Sequence, residues 1–178
     1  MTWTIESVLE ARVDPAAVFS LYLDPATWSR WGHNATWAHA DGPLVEGGTV
    51  DVKADYGTVY HCRIRRLEPG RALELVVKPP LLTIINIYEV EPTDGGARIR
   101  HAFDIAGPIV PLVRLAVGRT YQRRLDAEVA AVARLAADPD AHVEPPKGAP
   151  PIARAWGRLG RRRGRTEQPR TPGGDLGT

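Results

Sequence analysis

Apolar residues recur at every third or fourth position between Pro108 and Ala137. The stripe runs Ile109, Leu112, Val113, Val117, Tyr121, Leu125, Val129, Val132 and Leu135. Arg114, Arg119, Arg123, Arg124, Glu128 and Arg134 fall between them and are assigned to the opposite face. This is the 3.6-residue period of an amphipathic helix. If continuous, such a helix is about 40 Å long. Pro108 and Pro111 sit where a first turn tolerates proline. Gly118 interrupts the stripe and offers a point for a kink, or for a break into a short and a long helix.

Before this stretch the period is mostly two. Trp3, Ile5, Leu9, Ala11 and Val13 alternate with Glu6, Glu10 and Arg12, the pattern of a half-buried strand. Asp14-Pro15 and Asp24-Pro25 then each combine a preferred helix cap with a preferred first helical residue. They predict two short helices, the second over Ala26 to Trp31. From Thr36 alternation returns. It predicts about six strands, around Thr36–His39, Val50–Ala54, Thr58–Ile64, Leu73–Val77, Ile84–Val90 and Ile99–Ile105. Glu46-Gly47-Gly48, Asp55-Tyr56-Gly57, Glu68-Pro69-Gly70 and Thr93-Asp94-Gly95-Gly96 are turn signals between them. Such short connections demand antiparallel pairing. Strands grouped together with segregated helices define an α+β domain whose only apolar cover for the long helix is the sheet.

The segment Ala11 to Trp31, ARVDPAAVFSLYLDPATWSRW, resembles the opening of SRPBCC superfamily proteins. These are the helix-grip domains that include START lipid-binding domains, pollen-allergen-like proteins and polyketide cyclases. The likeness lies in the strand, the Asp-Pro helix start, the Val-Phe pair, the second Asp and the Trp-x-x-Trp. It extends over about Thr2 to Ala137. It implies a seven-stranded curved sheet gripping the last helix, with a cavity between them for an apolar ligand. It assigns no catalytic residue, because the superfamily shares a fold rather than one function.

Composition changes this picture little. The chain has 178 residues, 43% of them hydrophobic and 25% charged, which suits one globular domain of residues 1–137 with a tail over 138–178. A net charge of +2 gives no reason to expect a specific nucleic-acid partner. The single cysteine, Cys62, excludes an intrachain disulfide and reads as core filler. Met1 to Glu6 lacks a basic region followed by an apolar run, and no stretch is long and apolar enough to span a bilayer. The expected location is the cytoplasm.

Several chemistries are set aside. No serine lies in a Gly-x-Ser-x-Gly elbow, and the five histidines show no metal-ligand spacing. No glycine-rich loop precedes a helix in a phosphate-cradling pattern, so neither cofactor nor metal is expected. What stands out is polar residues on otherwise apolar strand faces. Alternation places His101 with Ile99, Phe103 and Ile105, Asn86 with Ile84 and Val90 beside Tyr88, and Tyr60 with Cys62 and Ile64. Each must find a partner or a buried water. Together they suit an apolar pocket with a few convergent polar groups. The expected ligand-binding set is Tyr60, Asn86, Tyr88, His101, Phe103, Trp28, Trp31, Val117 and Tyr121. Tyr56 is expected at the mouth. Trp28, Trp31 and Trp37 form either core or an aromatic rim beside His33 and Asn34. Arg63, Arg65 and Arg66 read as a solvated face.

The tail is proline-rich over Asp138–Pro151, a linker without a core, and basic over Ile152–Arg165, where Trp156 and Leu159 share a helical face. That segment suits peripheral contact with an anionic membrane surface, or a disordered solubilising tail. The leading functional expectation is a binding protein for an apolar or lipid-like small molecule. The alternative is a polyketide cyclase or dehydratase-type enzyme, with His101, Asn86 and Tyr88 as catalytic candidates. A third reading is a non-catalytic interaction module.

Overall fold

The computed structural model describes residues 1–32 and 35–143. His33, Asn34 and the basic segment 152–165 lie outside these residues. Seven strands form one antiparallel sheet: β1 (Thr2–Ala11), β2 (Ala35–His39), β3 (Thr49–Ala54), β4 (Val59–Glu68), β5 (Ala72–Val77), β6 (Thr83–Thr93) and β7 (Gly96–Ala106). The spatial order is β1-β7-β6-β5-β4-β3-β2. Two helical elements follow β1: α1 (Pro15–Leu23), then a 3₁₀ turn (Pro25–Thr27) running into α2 (Trp28–Trp31). The long helix α3 (Val110–Ala137) closes the domain. This is the helix-grip α+β architecture.

Local chemistry explains the boundaries. The Asp14 carboxylate accepts the Ala16 backbone N–H at 2.9 Å, and Asp24 accepts that of Ala26 at 3.0 Å. Each caps a helical start with proline at its first position. The helices carry the chain across the open side of the sheet, so β1 and β2 end at opposite edges. β1 then pairs with β7 from Thr2↔Ala106 to Ala11↔Ala97. At the β6–β7 hairpin a side chain on Gly96 would place its Cβ 2.1 Å from the Ala11 carbonyl oxygen, and φ there is +148°. Only glycine lets the hairpin close against the end of β1.

Three expectations about α3 change. The helix starts at Val110, so Pro108 lies before it and only Pro111 sits in the first turn. It runs unbroken through Gly118. A Cβ there would stand 3.6 Å from the Trp3 indole, so Gly118 lies against a ring from β1 rather than at a hinge. Most consequential, Arg124 and Glu128 do not face solvent. Each is only 3% exposed. They occupy the spacing Val117, Tyr121, Arg124, Glu128, Ala131, Leu135, which is the buried stripe itself.

Beneath α1, α2 and the second half of α3 lies one apolar cluster, including Val18, Trp31, Leu73, Val90, Ile99 and Val132. Beneath the first half of α3 lies another, including Ile5, Phe103, Ile105, Val113 and Leu125. The packing continues past Ala137. The Arg30 guanidinium donates to the carbonyl oxygens of Pro139 at 2.5 Å and Ala141 at 3.3 Å, and Ala141 and Val143 rest half-buried on the first cluster. The first residues after α3 therefore keep contact with the domain through Ala141 and Val143. No helix among the described residues is long and apolar enough to cross a membrane.

Candidate functional site

A cavity of about 150 Å³ lies between the sheet, α2 and α3. Period-two alternation aims Tyr60 of β4, Asn86 and Tyr88 of β6, and Phe103 of β7 into it. Tyr121 enters from α3, and Trp28 and Trp31 from α2. Local hydrogen bonds fix the two indoles. Trp28 donates to the Tyr22 carbonyl oxygen and Trp31 to the Thr27 hydroxyl, both at 3.2 Å. Trp37 takes no part; it sits on β2 with its ring substantially exposed. Tyr56 joins the wall, its hydroxyl 2.6 Å from that of Tyr60. Asn86 donates a long hydrogen bond, 3.5 Å, to the Leu75 carbonyl oxygen.

Two residues expected on the wall are elsewhere. Val117 packs in the lower cluster among the side chains beneath the first half of α3. His101 is fully buried, 0% exposed, behind the wall. Its ring is boxed by those of Tyr88, Tyr22 and Trp31, with centroids 4.9, 5.6 and 5.7 Å away. Both ring nitrogens are engaged: Nε2 is 3.0 Å from the Tyr22 hydroxyl and Nδ1 is 3.2 Å from Glu128 Oε2. With His101 neutral, the Tyr22 O–H donates to Nε2 and Nδ1–H donates to the carboxylate. His101 thus does not line the cavity itself; it backs Tyr88 and Trp31 and is hydrogen-bonded to Glu128, all three of which do.

Sequence reading passed over Tyr22 and Glu128. Tyr22 lies in α1, with nothing local to mark a hydrogen bond to a strand far along the chain. Glu128 was visible in principle. It lies seven residues after Tyr121 and seven before Leu135, two turns each way along the inward stripe.

The electrostatics keep the phenols neutral. Burial raises the Tyr22 and Tyr88 hydroxyls well above their usual value, and the charge of Glu128 adds to both shifts. Burial also raises Tyr56, Tyr60 and Tyr121. The Cys62 thiol on the same wall is pushed up to about 12, by burial first and then by Asp51. One turn from Glu128, burial pulls the Arg124 guanidinium down while Tyr121, Asp55 and Glu128 oppose the shift. The cavity is therefore an aromatic box holding neutral hydrogen-bond donors and one carboxylate, with an arginine buried beside it. Among the described residues, no group of three or more His, Cys, Asp or Glu side chains could hold a metal ion.

A larger open groove of about 1120 Å³ borders β4, β5 and the β5–β6 connection, and its lining includes His61, Arg63, Arg65 and Lys78. It shares Tyr60 and Val77 with the cavity but contains none of the buried polar network.

The sequence profile of the polyketide cyclase / dehydrase and lipid transport family matches residues 2–137. The chain belongs to that family. Solved structures agree on the fold. A protein from Mesorhizobium loti superposes with a TM-score of 0.63 at 18% identity, covering 78% of this chain and all of its own. Norcoclaurine synthase from Thalictrum flavum, in complex with dopamine and hydroxybenzaldehyde, gives 0.60 at 13%, covering 79% and 90%. A START superfamily protein from Mycobacterium smegmatis gives 0.58 at 10%, covering 74% and 98%. No curated protein matches the chain in sequence. The family member described here has the helix-grip fold, a wall of aromatic residues and a Tyr22–His101–Glu128 network that spans α1, β7 and α3.

Proposed function

We propose that this protein binds a small, largely apolar molecule in the cavity between the sheet and α3. The observation that carries this reading is an internal space walled by Trp28, Trp31, Tyr88, Phe103 and Tyr121 with a few polar groups on its surface. At about 150 Å³ it matches the scale of cavities that take a benzene-sized guest. A single ring fits as the structure stands, and a longer lipid-like chain requires the aromatic wall to part. Tyr60, Tyr88 and Asn86 supply hydrogen bonds to a polar substituent. Native mass spectrometry of the purified protein, before and after incubation with single-ring and long-chain ligands, tests this. A retained small molecule or a saturable complex supports it. A bare protein that takes up nothing from either set removes it.

The hydrogen bond between His101 and Glu128 favours a second reading, a cyclase or dehydratase-type enzyme. In an aldol ring closure a carboxylate takes a proton from the carbon beside a carbonyl. The resulting enolate carbon bonds to a second carbonyl carbon, whose oxygen takes up a proton, and loss of water follows. Glu128 has the chemistry and place for the proton transfer, and Asn86 or Tyr88 can hydrogen-bond the enolate oxygen. His101 holds the carboxylate in position. The apolar wall would enforce the folded shape of the substrate. Glu128→Gln separates the readings. Loss of turnover with ligand affinity kept supports the enzyme. A wild type inert toward polyketide-like diketones, with only affinity altered in Glu128→Gln, supports binding alone.

A further inference from the structure

The end of the molecule where α3 begins has a distinctive surface. Leu81, Leu112 and Leu115 are 64%, 67% and 87% exposed. Leu81 tops the β5–β6 connection with φ +65°. Its neighbour Leu82 packs with Val110 and Val113 beneath the start of α3, so all three leucines belong to one end. Leu112 and Leu115 lie one turn apart, and Arg119 continues the same exposed stripe. Arg114 and Lys78 are exposed beside them. The two chain segments that build this end hold no carboxylate: no Asp or Glu occurs between Glu74 and Glu89, or between Asp104 and Asp126. Exposed apolar side chains and charge of one sign therefore coincide.

We propose that this end docks on an anionic lipid bilayer, with the three leucines entering the headgroup boundary and Lys78, Arg114 and Arg119 meeting the lipid charges. The charge pattern selects among occupants. A second copy of the chain on the same face would set these cations against their equals. The chain's own stretch Ile152–Arg165 is basic as well and would be repelled. Leu81 sits at the end of the open groove along β4 and β5, while Leu112 and Leu115 stand out from the exposed face at the start of α3. A bilayer accepts projecting side chains without a complementary pocket, whereas a protein partner must supply one. The proposal stands apart from the cavity reading and holds whether or not a ligand is found inside.

The test uses the full-length protein sedimented with vesicles, either pure phosphatidylcholine or phosphatidylcholine and phosphatidylserine in equal parts. Wild type should partition onto the anionic vesicles and only weakly onto the neutral ones. Leu112→Glu/Leu115→Glu should lower that partition by at least about tenfold, since each leucine loses its apolar transfer and gains a repelled charge. Arg114→Gln/Arg119→Gln should lower it by about fivefold per arginine, with the remainder fading as salt is added. All four positions are exposed, and thermal melts check that the variants fold. Arg161→Gln/Arg162→Gln/Arg163→Gln should retain most of the binding, which separates this surface from the basic tail. Val45→Glu, at an exposed apolar site on the β2–β3 connection, should change nothing. Sedimentation of the leucine variant at the wild-type level overturns the proposal. So does equal binding to neutral vesicles, or a wild-type dimer in solution that the leucine variant dissociates.

Discussion

Arg100 and His101 are adjacent in β7, and their side chains serve opposite faces of one sheet. Outside, Arg100 reaches Glu6 Oε2 at 2.8 Å and Glu89 Oε2 at 2.7 Å. The array continues through Arg66, which also approaches Glu89 and Glu74 and pairs with Glu68, while Arg65 reaches Glu74 from its other side. Inside, His101 has one phenol and one carboxylate for partners and no access to water. The outer array is redundant: Arg66 and Arg100 each have more than one carboxylate, and Glu74 is shared by Arg65 and Arg66. The inner network is shut off from water, and losing His101 leaves the Tyr22 hydroxyl without a replacement partner from solvent. Charges on the outer face therefore tune solubility and add little stability, whereas the few polar groups inside determine what the cavity can bind or do.

The widest gap between the faces should appear with a charge forced into the interior. Leu125→Asp places an unpaired carboxylate in the lower cluster, and a loss of several kcal/mol is expected, enough to unfold a domain of ordinary stability. A cooperative melt near the wild-type temperature would contradict the assigned packing. Next comes His101→Leu, which leaves the Tyr22 hydroxyl and Glu128 without their shared partner. A cost of about 1–3 kcal/mol is expected in denaturant titrations, for the buried hydrogen bonds lost. A cost below that of an outer-face change would dissolve the distinction.

Alkaline titration sharpens the comparison further. All five tyrosines have hydroxyl pKa values raised above the ordinary value. Unfolded phenols ionise near pH 10. A raised folded value means that the stabilisation from neutral phenols is complete below that pH and drains away as pH climbs from there toward the folded values. Tyrosinate absorbance should therefore rise together with loss of near-UV circular dichroism, not before it. Early, independent ionisation of several tyrosines would show that the wall is wetter than described. The smallest effect is expected outside. A double-mutant cycle on Glu89 and Arg100 should give about 0.2–1 kcal/mol, shrinking with added salt.

Much of the fold was legible because strand alternation is a rule about direction. Every second residue of β4, β6 and β7 points inward, so Tyr60, Asn86, Tyr88 and Phe103 could be placed on the cavity wall from sequence alone. On the helix, side-chain type and spacing point in opposite directions. The charge of Arg124 and Glu128 predicts solvent, whereas their positions continue the stripe through Tyr121 and Leu135, and both are buried. Propensity alone makes Gly118 a weak point, because it takes no account of the Trp3 ring that a distant strand lays against it. Val117 shows a limit of face assignment: it points inward, but at a height where the space is filled by core. Tyr22 was the least accessible, since its role depends on a partner far along the chain.

Cys62 gives the molecule a clock. It is the only thiol, it lies on the cavity wall, and burial keeps it protonated up to about 12. Cys62 is only 5% exposed, so a thiol reagent attacks it chiefly when the side chains around it move aside or the domain unfolds. The labelling rate at neutral pH then counts openings per unit time, and its slope against denaturant distinguishes a small local breath from a global event. A ligand seated inside should slow the count without any need to know its identity beforehand.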